Sequence, residues 1–155
     1  MPDFHLREAA EADASVILAV LRAANEPYRH RPNGPSGAFS DTVEGTRGMI
    51  ATFPVILAVV DETVVGCLFY AFETDHCFLF RLGVLPAYQR RGIGRALMEY
   101  AEKRAVEKGL PYTRLGVRRA MAENRDYYER LGYRVIDETE TGLTMEKRLA
   151  VDAET

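Results

Sequence analysis

The chain has 155 residues, of which 47% are hydrophobic and 28% charged, and its net charge is −3. This balance predicts one globular domain over residues 1–155 with a real core. Apolar runs such as Val55–Val60 fall far short of the roughly 18 residues that cross a bilayer, and Met1–Glu8 lacks the basic-then-apolar order of a secretory signal, so a cytoplasmic protein with no membrane partner is expected.

In chain order, Phe4–Arg7 is expected to be a short strand and Ala14–Ala24 an amphipathic helix, with Ile17, Leu18 and Leu21 at helical spacing. Asn25–Thr42 holds three prolines and two glycines and is expected to be a long loop, before a short helix over Val43–Ala51. Val55–Val60, Val64–Phe72 and Cys77–Val84 are apolar runs separated by short polar turns, the pattern of an antiparallel meander. Gly94–Lys108 returns to helical spacing, with Leu97, Ala101 and Ala105 on one stripe and Gly109 and Pro111 as a stop. Thr113–Val117 follows as a strand, Glu123–Leu131 as a short helix, and Tyr133–Ile136 and Leu143–Arg148 as closing strands. The predicted order is β-α-α-β-β-β-α-β-α-β-β. It implies an α/β class with a mixed α+β sheet, largely antiparallel, and helices on both faces. An exposed last strand would offer its edge to a second copy, so a homodimer is among the expected assemblies. Cys67 and Cys77 lie in apolar strands without metal-ligand spacing, so they are expected to be reduced core thiols; no metal is implied.

Charge is unevenly spread. From Arg81 to Arg134 there are thirteen Lys/Arg against six Asp/Glu, a net +7 in a chain of net −3. A basic middle in an acidic chain predicts an anionic ligand. No basic stripe interleaved with stacking aromatics is present, so a polyphosphate fits better than nucleic acid, and no nucleic-acid partner is expected.

The segment Leu82–Leu97 contains the clearest chemistry. A strand ends at Val84, Pro86 follows, and Gln89-Arg-Arg-Gly-Ile-Gly94 runs into a helix. The free amides of a first helical turn, together with the helix dipole, attract phosphate oxygens. Gly92 and Gly94 bare those amides, and Gln89, Arg90, Arg91 and Arg95 add donors and charge. Leu97 rather than glycine stands three residues after Gly94, which excludes a complete GxGxxG fingerprint, and no Gly-Lys-Ser/Thr follows.

Gln89–Gly94 matches the Q/R-x-x-G-x-G/A motif of the GNAT superfamily of N-acetyltransferases, and Val84-Leu-Pro86 matches its V-x-P. The predicted element order also resembles the GNAT fold, over roughly residues 4–149. The resemblance implies acetyl-CoA as co-substrate. Its pantetheine would lie on the backbone of Leu82, Gly83 and Val84, and its pyrophosphate on the amides of Gln89, Arg90, Arg91, Gly92, Ile93, Gly94 and Arg95. Glycine inside an apolar strand also marks a bulge, a close approach or a crowded core, and for Gly83 these stay open.

Glu123–Tyr133 resembles the family's N-x-x-x-Y-x-x-x-G-F/Y variant, which implies Asn124 near the cofactor and Tyr128 as donor to the departing thiolate. Tyr127 is the alternative donor. A phenol of pKa about 10 suits that task. An alkyl amine must also lose a proton before attack. Several family members place a glutamate six residues ahead of the V of V-x-P, and Phe78 stands there instead. His76 is the nearest replacement base, with Glu73 and Asp75 acting through water as further candidates. Tyr28, Arg29, His30 and Arg31 could meet a carboxylate on the acceptor, and Arg114, Arg118 and Arg119 the cofactor's 3′-phosphate or an acidic acceptor. The expected activity is direct acetyl transfer to a primary amine of a small molecule or a protein. The competing expectation is a non-catalytic acyl-CoA-binding module, suggested by Phe78.

Overall fold

The computed structural model describes residues 3–32 and 37–150. Its strands are β1 (His5–Glu8), β2 (Val55–Val60), β3 (Thr63–Phe72), β4 (Cys77–Val84), β5 (Tyr112–Arg118), β6 (Arg134–Glu138) and β7 (Gly142–Arg148). The helices are α1 (Ala14–Asn25), the one-turn α2 (Gly37–Ser40), α3 (Val43–Thr52), α4 (Ile93–Glu107) and α5 (Asn124–Arg130). The seven strands form one sheet in the order β1-β2-β3-β4-β5-β7-β6. Neighbours are antiparallel except β4 and β5, which run parallel because α4 crosses over between them.

Two details differ from the sequence-based expectation. The loop 25–42 holds a 3-10 turn at Glu26–Tyr28 and the one-turn α2, while its residues 33–36 lie outside the described residues. The last strand is not a free edge. β7 lies between β5 and β6, and the edges of the sheet are β1 and β6. Pairing over the full length of β5, from Tyr112↔Arg148 to Arg118↔Gly142, holds β7 inside.

The sheet is covered on both faces, which explains why β2 is an unbroken apolar run rather than an alternating one. Val55, Leu57 and Val59 pack with Ile17, Val20 and Leu21 of α1, while Ile56, Ala58 and Val60 pack with Leu97, Met98 and Ala101 of α4. Leu57, Leu97 and Ile17 are fully buried, and truncating any one to alanine costs about 2–5 kcal/mol. Cys67 and Cys77 are buried on opposite faces. Burial pushes both thiols up to about 12, so neither is a thiolate near neutral pH. No helix among the described residues is long and apolar enough to cross a membrane.

Helix starts are built in two ways. Thr42 caps α3, its hydroxyl accepting from the Gly45 amide at 3.0 Å. Gly92 precedes α4 in the left-handed region, φ 82°, with no side-chain cap, so the first amides of α4 are left for another acceptor.

Candidate active site

β4 and β5 are hydrogen-bonded only where Cys77–Leu79 face Thr113–Leu115. Beyond Leu79 the strands part, and the β4 edge on that side has no strand partner. A bulge in β4 accompanies the parting. Phe69 pairs with Phe80 but Cys67 pairs with Gly83, so β4 holds one residue more than β3 across this stretch. Arg81 takes the left-handed conformation there, φ 53°, at a cost on the order of 1–2 kcal/mol for a residue with a side chain. Its surroundings hold it: Nη1 donates to Asp41 at 2.5 Å, and its carbonyl accepts from the Cys67 thiol at 3.7 Å. Gly83 does not make the bulge. A Cβ on Gly83 would lie 3.1 Å from Leu21, so this glycine lets α1 pack closely onto β4.

Between the parted strands lies a cleft of about 560 Å³. Leu79, Leu82, Met98 and Leu115 form its depth, Phe78 and Phe80 line the β4 side, and Gly116, Val117 and Arg118 line the β5 side. Leu21 and Asn25 of α1, Gly37 and Ala38 of α2, Met121, Asn124 and Tyr128, and Thr139, Thr141 and Thr144 around the β6–β7 turn complete it. Gly142 permits that turn to lie close to β5, since a Cβ would collide with the Val117 carbonyl oxygen.

The glycine loop leads from β4 to α4. Pro86–Tyr88 form a 3-10 turn, and the Gln89 side chain donates to the Val84 carbonyl at 3.1 Å. Arg90 and Gly92 both have positive φ, 66° and 82°, the kind of left-handed placement found in anion-binding backbone nests. Arg91 lies over the half-buried Tyr88 ring and 3.7 Å from Asp3, and Arg95 pairs with Glu99 at 3.2 Å; the four charged groups are exposed. Ile93 is buried and anchors the loop to the core.

The two tyrosines of α5 separate. A Cβ on Gly94 would lie 2.8 Å from the Tyr127 hydroxyl, so Tyr127 rests on the bared start of α4. Tyr128 lines the cleft instead. Burial raises its phenol well above the ordinary value, and Tyr127 and Tyr28 add to the rise. Its hydroxyl makes no hydrogen bond among the described residues. Asn124, one turn earlier, lines the same cleft.

The proposed base is elsewhere. His76 ends the β3–β4 turn, with Nδ1 2.7 Å from Asp75 and 3.4 Å from Arg114. It lies six positions before Leu82, about 20 Å along the strand, and it does not line the cleft. Glu73 and Asp75 share that far end. The strand thus places His76, the expected replacement base, at the closed end of the β4–β5 pair. Arg29 and Arg31 are also committed, Arg29 to Glu26 and the Phe39 ring, and Arg31 to the Ala120 carbonyl and Glu123.

Arg81, Asp41, Phe80 and the threonines of the β6–β7 turn were not singled out by the sequence. Arg81 had one available signal, a charged residue in a buried apolar strand, which requires a partner.

Residues 17–133 match the acetyltransferase (GNAT) family model. An acetyltransferase of Yersinia pestis (strain Pestoides F) is 32% identical over 99 residues, covering 64% of this chain and 67% of its own. The PaiA N-acetyltransferase of Thermoplasma acidophilum, solved in complex with coenzyme A, shares the fold at TM-score 0.83 and 23% identity, over 94% of this chain and 98% of its own. A GNAT acetyltransferase of Streptococcus pneumoniae does so at TM-score 0.74 and 18% identity, over 95% and 99%.

Proposed function

The chain belongs to the GNAT family of acetyltransferases and is an acyltransferase, and from that premise we propose that it moves the acetyl group of acetyl-CoA to a primary amine by direct attack. One observation supports this above the others: α5 bridges the two halves of the site, with Tyr127 resting on Gly94 of the phosphate-type loop and Tyr128 lining the same cleft as Leu82.

The residues present suit the co-substrate. The uncapped amides from Gly92 to Arg95 match a pyrophosphate, with Gln89, Arg90, Arg91 and Arg95 supplying further donors and charge. The β4 edge over Leu82, Gly83 and Val84, which has no strand partner, matches an extended arm carrying amides, as an added strand would. Backbone amides at the Arg81 bulge are fixed before the reaction, which suits them to polarise a thioester carbonyl. Asn124 borders the arm. Tyr128 gives its proton to the sulfur as the carbon–sulfur bond breaks, and burial keeps its phenol in the protonated form that this role needs. Water in the cleft takes the amine proton, since no carboxylate or histidine is among the described residues that line it.

The test is release of free thiol from acetyl-CoA over a panel of amines. The reading predicts amine-dependent release far above hydrolysis. Saturable acetyl-CoA binding with no release for any amine would overturn it.

A further inference from the structure

The cleft has an unusual charge inventory. Among the described residues that line it, the ionisable groups other than Tyr128 are two arginines, Arg81 and Arg118, with no carboxylate. Arg81 is neutralised by Asp41 at 2.5 Å. Arg118 makes no hydrogen bond or ion pair among the described residues. The other arginines nearby are committed. Arg114 binds Glu146 at 2.8 Å, Arg119 binds Glu138 at 3.0 Å and the Thr139 carbonyl, and Arg31 binds Glu123 at 2.9 Å. Sequence spacing alone did not distinguish Arg114, Arg118 and Arg119; their partners do.

Resting on the proposed acetyl transfer to an amine, we infer that the acceptor is an amine that also carries a carboxylate, and that Arg118 anchors that carboxylate. A guanidinium presents paired donors that match a carboxylate's two oxygens. One uncompensated positive charge balances one carboxylate, whereas a phosphate monoester carries about −1.5 to −2 and would leave excess charge. The remaining lining adds an apolar requirement, since Phe78, Phe80, Met98 and Met121 face the same space. The acceptor class is therefore an amino acid with an apolar or aromatic side chain. A polyamine or an unmodified lysine side chain would meet only repulsion from Arg118.

The experiment compares each acid with its own decarboxylated amine: phenylalanine with phenethylamine, and methionine with 3-(methylthio)propylamine. The readout is kcat/KM for thiol release, with acetyl-CoA affinity measured in parallel by calorimetry. The wild-type chain should prefer the acids by about ten- to a hundredfold, the range for a hydrogen bond to a charged group. Arg118→Ala should bring that ratio close to one with acetyl-CoA affinity held within twofold, and Arg118→Lys should restore part of it. Arg125→Ala, which removes only an exposed pair with Glu129, should leave the ratio as it is and so controls for overall charge. Equal use of acids and decarboxylated amines by the wild type would overturn the inference while leaving acetyl transfer intact. A tenfold loss of acetyl-CoA affinity in Arg118→Ala would overturn it in favour of a cofactor contact. Absence of acetyl-CoA binding would defeat the underlying reading and the inference together.

Discussion

The two ends of the β4–β5 pair are made from the same two strands, yet one end is saturated and the other is open. At the end where the strands are hydrogen-bonded, Arg114 reaches Glu146, Asp75 and His76. Beside it the Tyr133 hydroxyl donates to Glu102 at 2.8 Å and accepts from Thr113 at 2.8 Å, while Lys147 donates to the other Glu102 oxygen at 3.0 Å. At the parted end the β4 edge has no strand partner, and the Tyr128 hydroxyl and the Arg118 side chain make no hydrogen bond among the described residues. Residue type alone points to His76 as the base; its ring sits against Asp75 and Arg114 at the closed end. Polar groups that are already paired hold the sheet together. Unpaired ones, lining a cleft, are available to a substrate.

The largest expected effect breaks the saturated end. Glu102→Ala removes the acceptor shared by Tyr133 and Lys147, both partly or fully buried, and should lower unfolding free energy by about 3 kcal/mol in urea titration. A loss below about 1 kcal/mol would mean this network is not structural. Next is the open end: Tyr128→Phe should lower kcat about a hundredfold, or ~2.7 kcal/mol of barrier, while acetyl-CoA affinity changes less than twofold. Retention of kcat would shift the acid role to Tyr127. The same phenol sets a pH signature. An acid works protonated, and burial raises Tyr128 above the ordinary value of about 10. The kcat/KM profile should therefore rise as the amine deprotonates and show no descending limb below about pH 10.

Two smaller changes sharpen the contrast. In Gly94→Ala the new methyl would meet the Tyr127 hydroxyl at 2.8 Å. Acetyl-CoA affinity should fall about tenfold, and adding Tyr127→Phe should recover part of it in a double-mutant cycle. Independent, additive effects would deny that the loop and α5 meet there. His76→Ala should leave kcat within about twofold, the least effect of the series. A loss of a hundredfold would return His76 to the chemistry.

Much of this architecture was legible because its signals are local. The β2–β3 hairpin follows from two apolar runs around Asp61-Glu62, which take φ 47° and 68° at the turn. The α4 start follows from its glycines and arginines. The unreadable parts depend on distant neighbours. The Arg81 bulge exists because β3 and β4 pair one residue out of step, and no residue type announces a left-handed arginine. The place of β7 inside the sheet is set by its pairing with β5, about thirty residues away along the chain. Arg114 and Arg118 point from one face of the same strand, yet one meets Glu146 on β7 and the other faces the cleft, a difference decided by the adjoining strand.

The central claim is that the amides opening α4 hold the pyrophosphate of acetyl-CoA. Amide NMR shifts, followed while acetyl-CoA is added to the intact chain, test it most directly. The account predicts that the resonances of Gly92, Ile93, Gly94 and Arg95 move together and saturate at one equivalent. Unmoved resonances there, in a chain that still binds acetyl-CoA, would contradict it.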